Sequence, residues 1–179
     1  PAGPVMTARQ APFNSQLFHR IGGTNPVAGD ARDAGIALLT EDRKRDGLAL
    51  ALPIRANITL ASLQQTRDAG LINLSRERTK AAEAAREVDV RTTTLEKPAR
   101  ALSGGNQQKV VLAKWLMTRA RVFIFDEPTQ GIDVAAKAEV YRLIHRLAEQ
   151  GAGILLISSY LPELLALADR VVVLSRGRV

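Results

Sequence analysis

The chain has 179 residues and a formal net charge of +7, with 46% hydrophobic, 24% charged and 4% aromatic residues. The length and the hydrophobic fraction indicate a globular domain with a real core, and they exclude a disordered chain. The absence of cysteine excludes disulfides and thiolate metal sites, and no apolar stretch is long enough to span a membrane. Basic and acidic residues are interleaved and aromatic side chains are scarce, so we expect a solvated basic surface and no nucleic-acid partner.

The first region, residues 1–32, differs from the rest of the sequence. It contains four prolines and several glycines, and neither a helical nor a strand period persists in it. Such a composition predicts loop structure. Because the sequence begins with Pro1 rather than Met, we expect it to be a fragment or a processed product.

Four short apolar runs predict strands, at 35–40, 122–125, 153–158 and 171–174. None of them alternates polar and apolar residues, which predicts burial on both faces of a sheet. Helical periodicity at 135–150 and 161–169 separates the last three runs. Alternating strands and helices indicate right-handed crossovers and a parallel sheet, so the predicted class is α/β.

The middle region, about 46–119, has a different pattern. Residues 76–87 are rich in Ala, Glu, Arg and Lys, with Ser75 as the expected N-cap, and residues 106–119 carry a wide apolar face. We therefore expect a helical insertion between the first and second predicted strands. His145 lies off the apolar stripe of its helix and is expected to be a solvated helix residue.

Two motifs carry chemistry. Ser103, Gly104 and Gly105 precede a helix, where free N–H groups and the helix dipole favour phosphate oxygens, although a plain turn with an N-cap explains the same residues. Asp126 and Glu127 follow an apolar strand, at the edge where open α/β sheets bind ligands. Asp126 is suited to hold Mg²⁺ and Glu127 to orient an attacking water, whereas the alternative is an acidic strand end that caps the next turn.

Together the two motifs resemble those of the ATP-binding-cassette (ABC) ATPases. In that family Leu-Ser-Gly-Gly is the signature motif, and the apolar run with Asp-Glu is the Walker B motif. Residues 129–133 resemble the D-loop, with Asp133 as its acid, and 169–177 resemble the strand after the switch region. The segments 40–47, 102–109 and 126–133 are similar to the second ATPase half of the tandem proteins that energise bacterial monosaccharide importers.

This resemblance covers about 33–179 and implies an α/β fold, a parallel-sheet P-loop-type ABC ATPase core that is incomplete at its N-terminal side, with a helical subdomain inserted at about 46–119. It implies ATP and Mg²⁺ as cofactors. Its expected partners are a second ATPase domain in a head-to-tail dimer, membrane permease subunits and, indirectly, a periplasmic sugar-binding protein. The expected location is the cytoplasmic face of the bacterial inner membrane. The implied catalytic residue is Glu127 and the implied metal ligand is Asp126, and the implied nucleotide contacts are Ser103, Gly104, Gly105, Gln107, Asp133, Glu41 and Ser159.

Three features depart from the general ABC pattern. The 179 residues contain no Gly-x-x-x-x-Gly-Lys-Ser/Thr string, and the nearest glycine-rich piece, 22–29, contains Pro26, which lacks an N–H donor. Glu41 replaces the usual Gln, and Ser159 replaces the switch histidine. The alternative to an ATPase component is therefore a non-catalytic degenerate fragment or pseudo-subunit, and we expect the isolated chain to hydrolyse little ATP. Arg43, Lys44 and Arg45 are predicted to form a solvated loop face, with docking to a membrane partner as the alternative.

Overall fold

A computed structural model of the chain describes residues 31–174 and 178, together with the backbone of 5–9. It divides into two compact units. The sheet unit comprises Pro1–Glu41, Ala120–Pro128 and Tyr141–Val179, and the helical unit comprises Asp42–Arg119 and Thr129–Val140. No helix in the described part of the chain combines the length and the hydropathy needed to cross a membrane.

The described residues form strands and α-helices with the following bounds. The strands are β1 (Val5–Arg9), β2 (Ile36–Leu39), β3 (Arg67–Asp68), β4 (Leu71–Ile72), β5 (Val122–Asp126), β6 (Gly153–Ile157) and β7 (Arg170–Val173). The α-helices are α1 (Ile54–Thr59), α2 (Leu74–Glu87), α3 (Gly104–Leu116), α4 (Val134–Glu149) and α5 (Leu161–Leu167). The predicted strands and helices are confirmed, with shifts of one to a few residues at their ends.

The sheet unit is built on a parallel sheet. Within the described residues its strand order is β2-β5-β6-β1-β7, and every pairing is parallel. Leu39, Phe125 and Leu156 lie side by side on β2, β5 and β6, and all three are fully buried. The predicted α/β class with a parallel sheet is confirmed, and these side chains form its core.

The prediction that all four apolar strands are buried on both faces of the sheet holds for only some of them. Phe123, Ile124 and Phe125 are successive buried residues of β5, whereas β2 and β6 alternate buried and half-buried positions. In β7, Val173 is 67% exposed. The expectation is wrong for β7 because this strand ends the described sheet and pairs only with β1.

Strand β1 corrects the loop prediction for part of residues 1–32. Residues Val5–Arg9 pair in parallel with β6 on one side and β7 on the other. Residues 5–9 form neither a continuous apolar run nor a clear alternation, and the pairing comes from strands more than 140 positions further along the chain. Residues 10–30, including the glycine-rich piece at 22–29, lie outside the described residues.

The helical unit contains the predicted helices with different ends. Helix α2 begins at Leu74, and its N-cap is Asn73, whose side chain accepts a hydrogen bond from the Arg76 N–H (3.0 Å), so Ser75 is not the cap. Helix α3 begins at Gly104, two residues earlier than expected, because Ser103 caps it. The two-residue strands β3 and β4 form an antiparallel hairpin that the periodicity did not predict.

Helix α4 shows the predicted stripe. Val140, Ile144 and Leu147 are buried, and His145 is exposed, as expected. The helix stops before Gly151, whose φ of 89° is in the left-handed region that a glycine adopts without strain.

Candidate functional site

The sheet unit brings three predicted carboxylates to one edge. Asp126 ends β5 and is 9% exposed. Glu41 follows β2, which is paired in parallel with β5, so both strands end at the same edge. Burial raises the pKa of Asp126 to about 6, and the negative charges of Glu41 and Glu127 add to this effect.

Glu127 has an unusual backbone conformation. Its φ is 46°, in the left-handed region that residues with a side chain seldom adopt. Its N–H donates to the carbonyl oxygen of Ile157 at the end of β6 (2.8 Å), which holds the residue in place. Such a conformation costs about 1–3 kcal/mol and persists where the surroundings impose it, as they do at many functional sites.

Ser159 stands two residues after β6 and is exposed. The preceding Ser158 is fully buried and its hydroxyl accepts a hydrogen bond from the Tyr160 N–H (3.1 Å). Because Ile157 is in register with Asp126, Ser159 belongs to the same edge of the sheet as the carboxylates. The structure therefore brings Glu41, Asp126, Glu127 and Ser159 to one edge of the sheet unit.

The donor set at this edge suits a hydrated magnesium ion. Mg²⁺ is usually held by one or two carboxylates, with water and phosphate oxygens as its other ligands. Asp126 supplies one buried carboxylate, and a cation beside it would relieve the repulsion from Glu41 and Glu127 that raises its pKa. In the described residues no cluster of three or more acidic, His or Cys side chains forms a complete protein-built metal site.

The start of helix α3 lies in the helical unit and carries the Ser-Gly-Gly motif. Ser103 is exposed, and its hydroxyl accepts from the Asn106 side-chain amide (3.1 Å) and, more weakly, from the Asn106 N–H (3.4 Å). Both glycines are packed closely. A Cβ on Gly105 would lie 2.7 Å from the Ala136 Cβ, and a Cβ on Gly104 would lie 3.0 Å from the Gly131 carbonyl oxygen.

Gln107 and Asp133 have roles within the helical unit. Gln107 is 4% exposed and its amide donates to the Ala99 carbonyl oxygen (3.3 Å), so its side chain is not brought to the surface with Ser103. Asp133 is exposed, and its carboxylate accepts from the Ala136 N–H (2.9 Å) at the start of α4. Both remain predicted nucleotide contacts, and the structure gives each a folding role.

An ion-pair network around the buried Lys109 supports the same helix start. Lys109 on α3 is 5% exposed, and its ammonium lies 2.6 Å from a Glu139 carboxylate oxygen and 2.7 Å from the Asp89 carbonyl oxygen. Lys109 is also the main cause of the lowered pKa of Asp89. Arg91 pairs with Glu139 (2.7 Å), and its N–H donates to the Asn106 side chain (2.7 Å). Asn106 in turn contacts Ser103, so the network runs from α4 to the signature-like motif.

Arg43 corrects the prediction of a fully solvated loop face. Lys44 and Arg45 are exposed, as expected, whereas Arg43 is half-buried. Its guanidinium donates to the carbonyl oxygens of Gln130 (2.9 Å) and Gly131 (3.4 Å). No local pattern signals this contact, because the partners are 87 and 88 positions apart in the sequence.

The fold is shared with solved ATP-binding cassettes. A dimeric bacterial ABC transporter cassette has a TM-score of 0.76 and 17% identity, over 98% of this chain and 82% of that one. A cassette in a post-hydrolysis state, bound to ADP and Pi, has the same TM-score with 16% identity and the same coverage. At this level of identity the likeness concerns the fold.

The family follows from the sequence comparisons. The ABC transporter family model matches residues 21–130, more than half of the chain, and the chain belongs to that family. Ribose import ATP-binding protein RbsA 3 of Rubrobacter xylanophilus is 57% identical over 150 residues, which are 84% of this chain and 30% of that protein. Ribose import ATP-binding protein RbsA 2 of Streptomyces coelicolor is 50% identical over 149 residues, 83% of this chain and 29% of that protein. The chain thus spans about 30% of the length of these relatives.

Proposed function

We propose that these residues form part of the ATP-binding component of a bacterial ABC-type monosaccharide importer, to which they contribute the signature and Walker B motifs. The observation that carries this proposal is the Ser103-capped, glycine-lined start of α3 in a chain 57% identical to a ribose import ATP-binding protein. The sugar of this system is a monosaccharide of the ribose type, by analogy with the named relatives.

The signature residues act on a nucleotide held by a second ATPase domain. Ser103 and the N–H groups of Gly104 and Gly105 lie at the positive end of α3, where anionic oxygens are stabilised. Head-to-tail pairing with a second domain would place a phosphate at this position. In this head-to-tail arrangement the partner domain supplies the phosphate cradle for that nucleotide.

The carboxylate edge of the sheet supplies the metal and water chemistry. Asp126 would hold Mg²⁺, whose role is to neutralise developing charge on the phosphates. Glu127, fixed by the Ile157 carbonyl, would orient the attacking water, and Glu41 and Ser159 would contact the nucleotide from the same edge. Membrane permease subunits at the cytoplasmic face, and a periplasmic sugar-binding protein acting through them, would complete the importer.

A chimera tests the proposal. The matched segment of this chain replaces its counterpart in the Rubrobacter relative, and ATP hydrolysis and ribose uptake are measured with that relative's own transporter. Ser103→Asp keeps a side chain that caps helices well but places a negative charge against the phosphate. We expect at least about a hundredfold loss of ATPase rate, with the melting temperature unchanged.

Asn73→Asp is the control, because it also places an aspartate at a helix N-cap, that of α2. It should leave the rate unchanged. If Ser103→Asp in a folded, active chimera leaves hydrolysis and uptake at the unsubstituted level, the signature role is wrong and the degenerate-fragment alternative replaces it. If Glu127→Gln leaves both at that level, the role of Glu127 in orienting the attacking water is wrong, whatever the outcome at Ser103.

A further inference from the structure

The turn that carries Arg43 is held at both ends. Asp42 caps it, and its carboxylate accepts from the N–H groups of Lys44 and Arg45 (3.1 Å each). At the other end the buried Lys114 ammonium donates to the Gly47 carbonyl oxygen (2.6 Å). Because the turn is fixed at both ends, the backbone of Arg43 has little freedom to move. Its guanidinium is therefore directed to the same contacts by the fold.

Arg43 bridges two motifs that are distant in sequence. Its two hydrogen bonds go to the carbonyl oxygens of Gln130 and Gly131, in the loop before α4. The same guanidinium lies beside the start of α3, because a Cβ on Gly104 would be 2.7 Å from Arg43 Nη2. The loop, the guanidinium and Gly104 therefore pack against one another within the helical unit.

The position of Arg43 is costly for a surface residue. Its Nε is buried and has no hydrogen-bond partner among the described residues. Desolvation lowers its pKa, and the nearby Asp42 offsets only part of this effect. A solvated arginine would bear neither cost, so the hydrogen bonds to the two carbonyl oxygens must offset them for the guanidinium to stay in this position.

We propose that Arg43 is a positioning residue that holds the loop 129–133 against the start of the signature helix, so that Asp133, Ser103 and Gly104 keep one arrangement. Its consequence for ATP hydrolysis rests on the proposed function, whereas the contact itself does not. Gly104 fits this role because only a residue without a Cβ lets the guanidinium lie beside the helix start.

Hydrogen exchange on the full chain tests the contact. In Arg43→Ala we expect amides of the loop 129–133 to exchange about tenfold faster, while α2, in the same unit but outside these contacts, is unchanged. Arg43→Lys should restore part of the protection, since a lysine reaches one carbonyl but lacks the planar fork. Arg45→Ala is the matched control, because Arg45 is exposed and its recorded ion pair is a 3.9 Å contact with Asp46 on the same turn.

Gly104→Ala provides a second test that leaves Arg43 in the chain. The new methyl group must displace the flexible end of Arg43, and it would also lie 3.0 Å from the Gly131 carbonyl oxygen, so the loop should exchange at least as fast as in Arg43→Ala. Loop exchange within twofold of the unsubstituted chain in Arg43→Ala or, should that variant fail to fold, in Gly104→Ala overturns the proposal.

The chimera described above measures the consequence for the reaction. Arg43→Ala should lower kcat about tenfold with KM for Mg-ATP within twofold, since a positioning residue acts through the loop and not on the nucleotide. Fast loop exchange with an unchanged kcat would overturn the positioning role. A chimera that is inactive before any substitution counts against the proposed function alone, and the exchange measurements then decide the role of Arg43.

Discussion

Replacing Gly105 by Ala should destabilise the helical unit through one contact. The added Cβ would lie 2.7 Å from the Ala136 Cβ, well inside the 3.5–4.0 Å at which carbon atoms attract. Gly105 is on α3 and Ala136 is in the first turn of α4, so neither methyl group can rotate away and the helix starts must separate. Overpacking of this kind costs about 1–3 kcal/mol.

The compensating change is Ala136→Gly. Alone, Ala136→Gly should lower the free energy of unfolding by about 1 kcal/mol, because glycine lowers helix stability. In the double variant the methyl group moves from one helix to the other and the clash disappears. The free energy of unfolding should then return to within about 1 kcal/mol of the unsubstituted chain, whereas independent effects would sum to about 2–4 kcal/mol.

Urea unfolding of the four chains, followed by far-UV circular dichroism, measures these free energies. Ala138→Gly is the control, since Ala138 is an exposed residue of the same helix and should cost the same alone without rescuing Gly105→Ala. Rescue by Ala138→Gly, or a Gly105→Ala variant as stable as the unsubstituted chain, would refute the packing argument.

Three further predictions concern single groups. Burial lowers the pKa of Lys114 to about 8, below its unfolded value. The free energy of unfolding should therefore rise by about 2–3 kcal/mol between pH 7 and 10 as the ammonium loses its proton. The free energy of unfolding of Lys114→Met should not show this rise. Glu127 has a φ of 46°, so denaturant titration should find Glu127→Gly about 1 kcal/mol more stable than Glu127→Ala. At Glu83, an exposed helical residue, the alanine variant should instead be more stable than the glycine variant. The isolated chain should not hydrolyse Mg-ATP at a useful rate, and measured phosphate release that Glu127→Gln abolishes would contradict this expectation.

The sequence predicts the elements whose pattern is local. The apolar run of β5 ends at Asp126, so periodicity predicts Asp126 and Glu127 at one edge of a parallel sheet. Glu41 is implied by the family resemblance, and the pairing of β2 with β5 that brings it to the same edge is seen only in the structure. Strand β1 could not be predicted in this way, because its pairing partners lie far along the chain. Gln107 shows another limit, since the motif does not tell which side of α3 faces the interior.

Arg43 shows why charge alone misleads. It is the first of three basic residues flanked by acidic ones at 41–46, a pattern typical of a solvated turn, and the neighbouring Lys44 and Arg45 are indeed exposed. The difference comes from the carbonyl oxygens of Gln130 and Gly131, which are backbone groups and leave no trace in residue type. Contacts from side chains to distant backbone can be found only from coordinates.

Packing alone explains why glycine is needed at both positions of the motif, without reference to a nucleotide. Gly104 leaves room for Arg43 and the Gly131 carbonyl, and Gly105 leaves room for Ala136. A loss of activity on substituting either glycine would therefore not distinguish a broken phosphate contact from a displaced loop or helix. Ser103 is the better probe, because its side chain is exposed and aspartate preserves its capping role. A rate that falls in Ser103→Asp while loop exchange and melting stay constant would assign the effect to charge at the helix start, since packing is then unchanged.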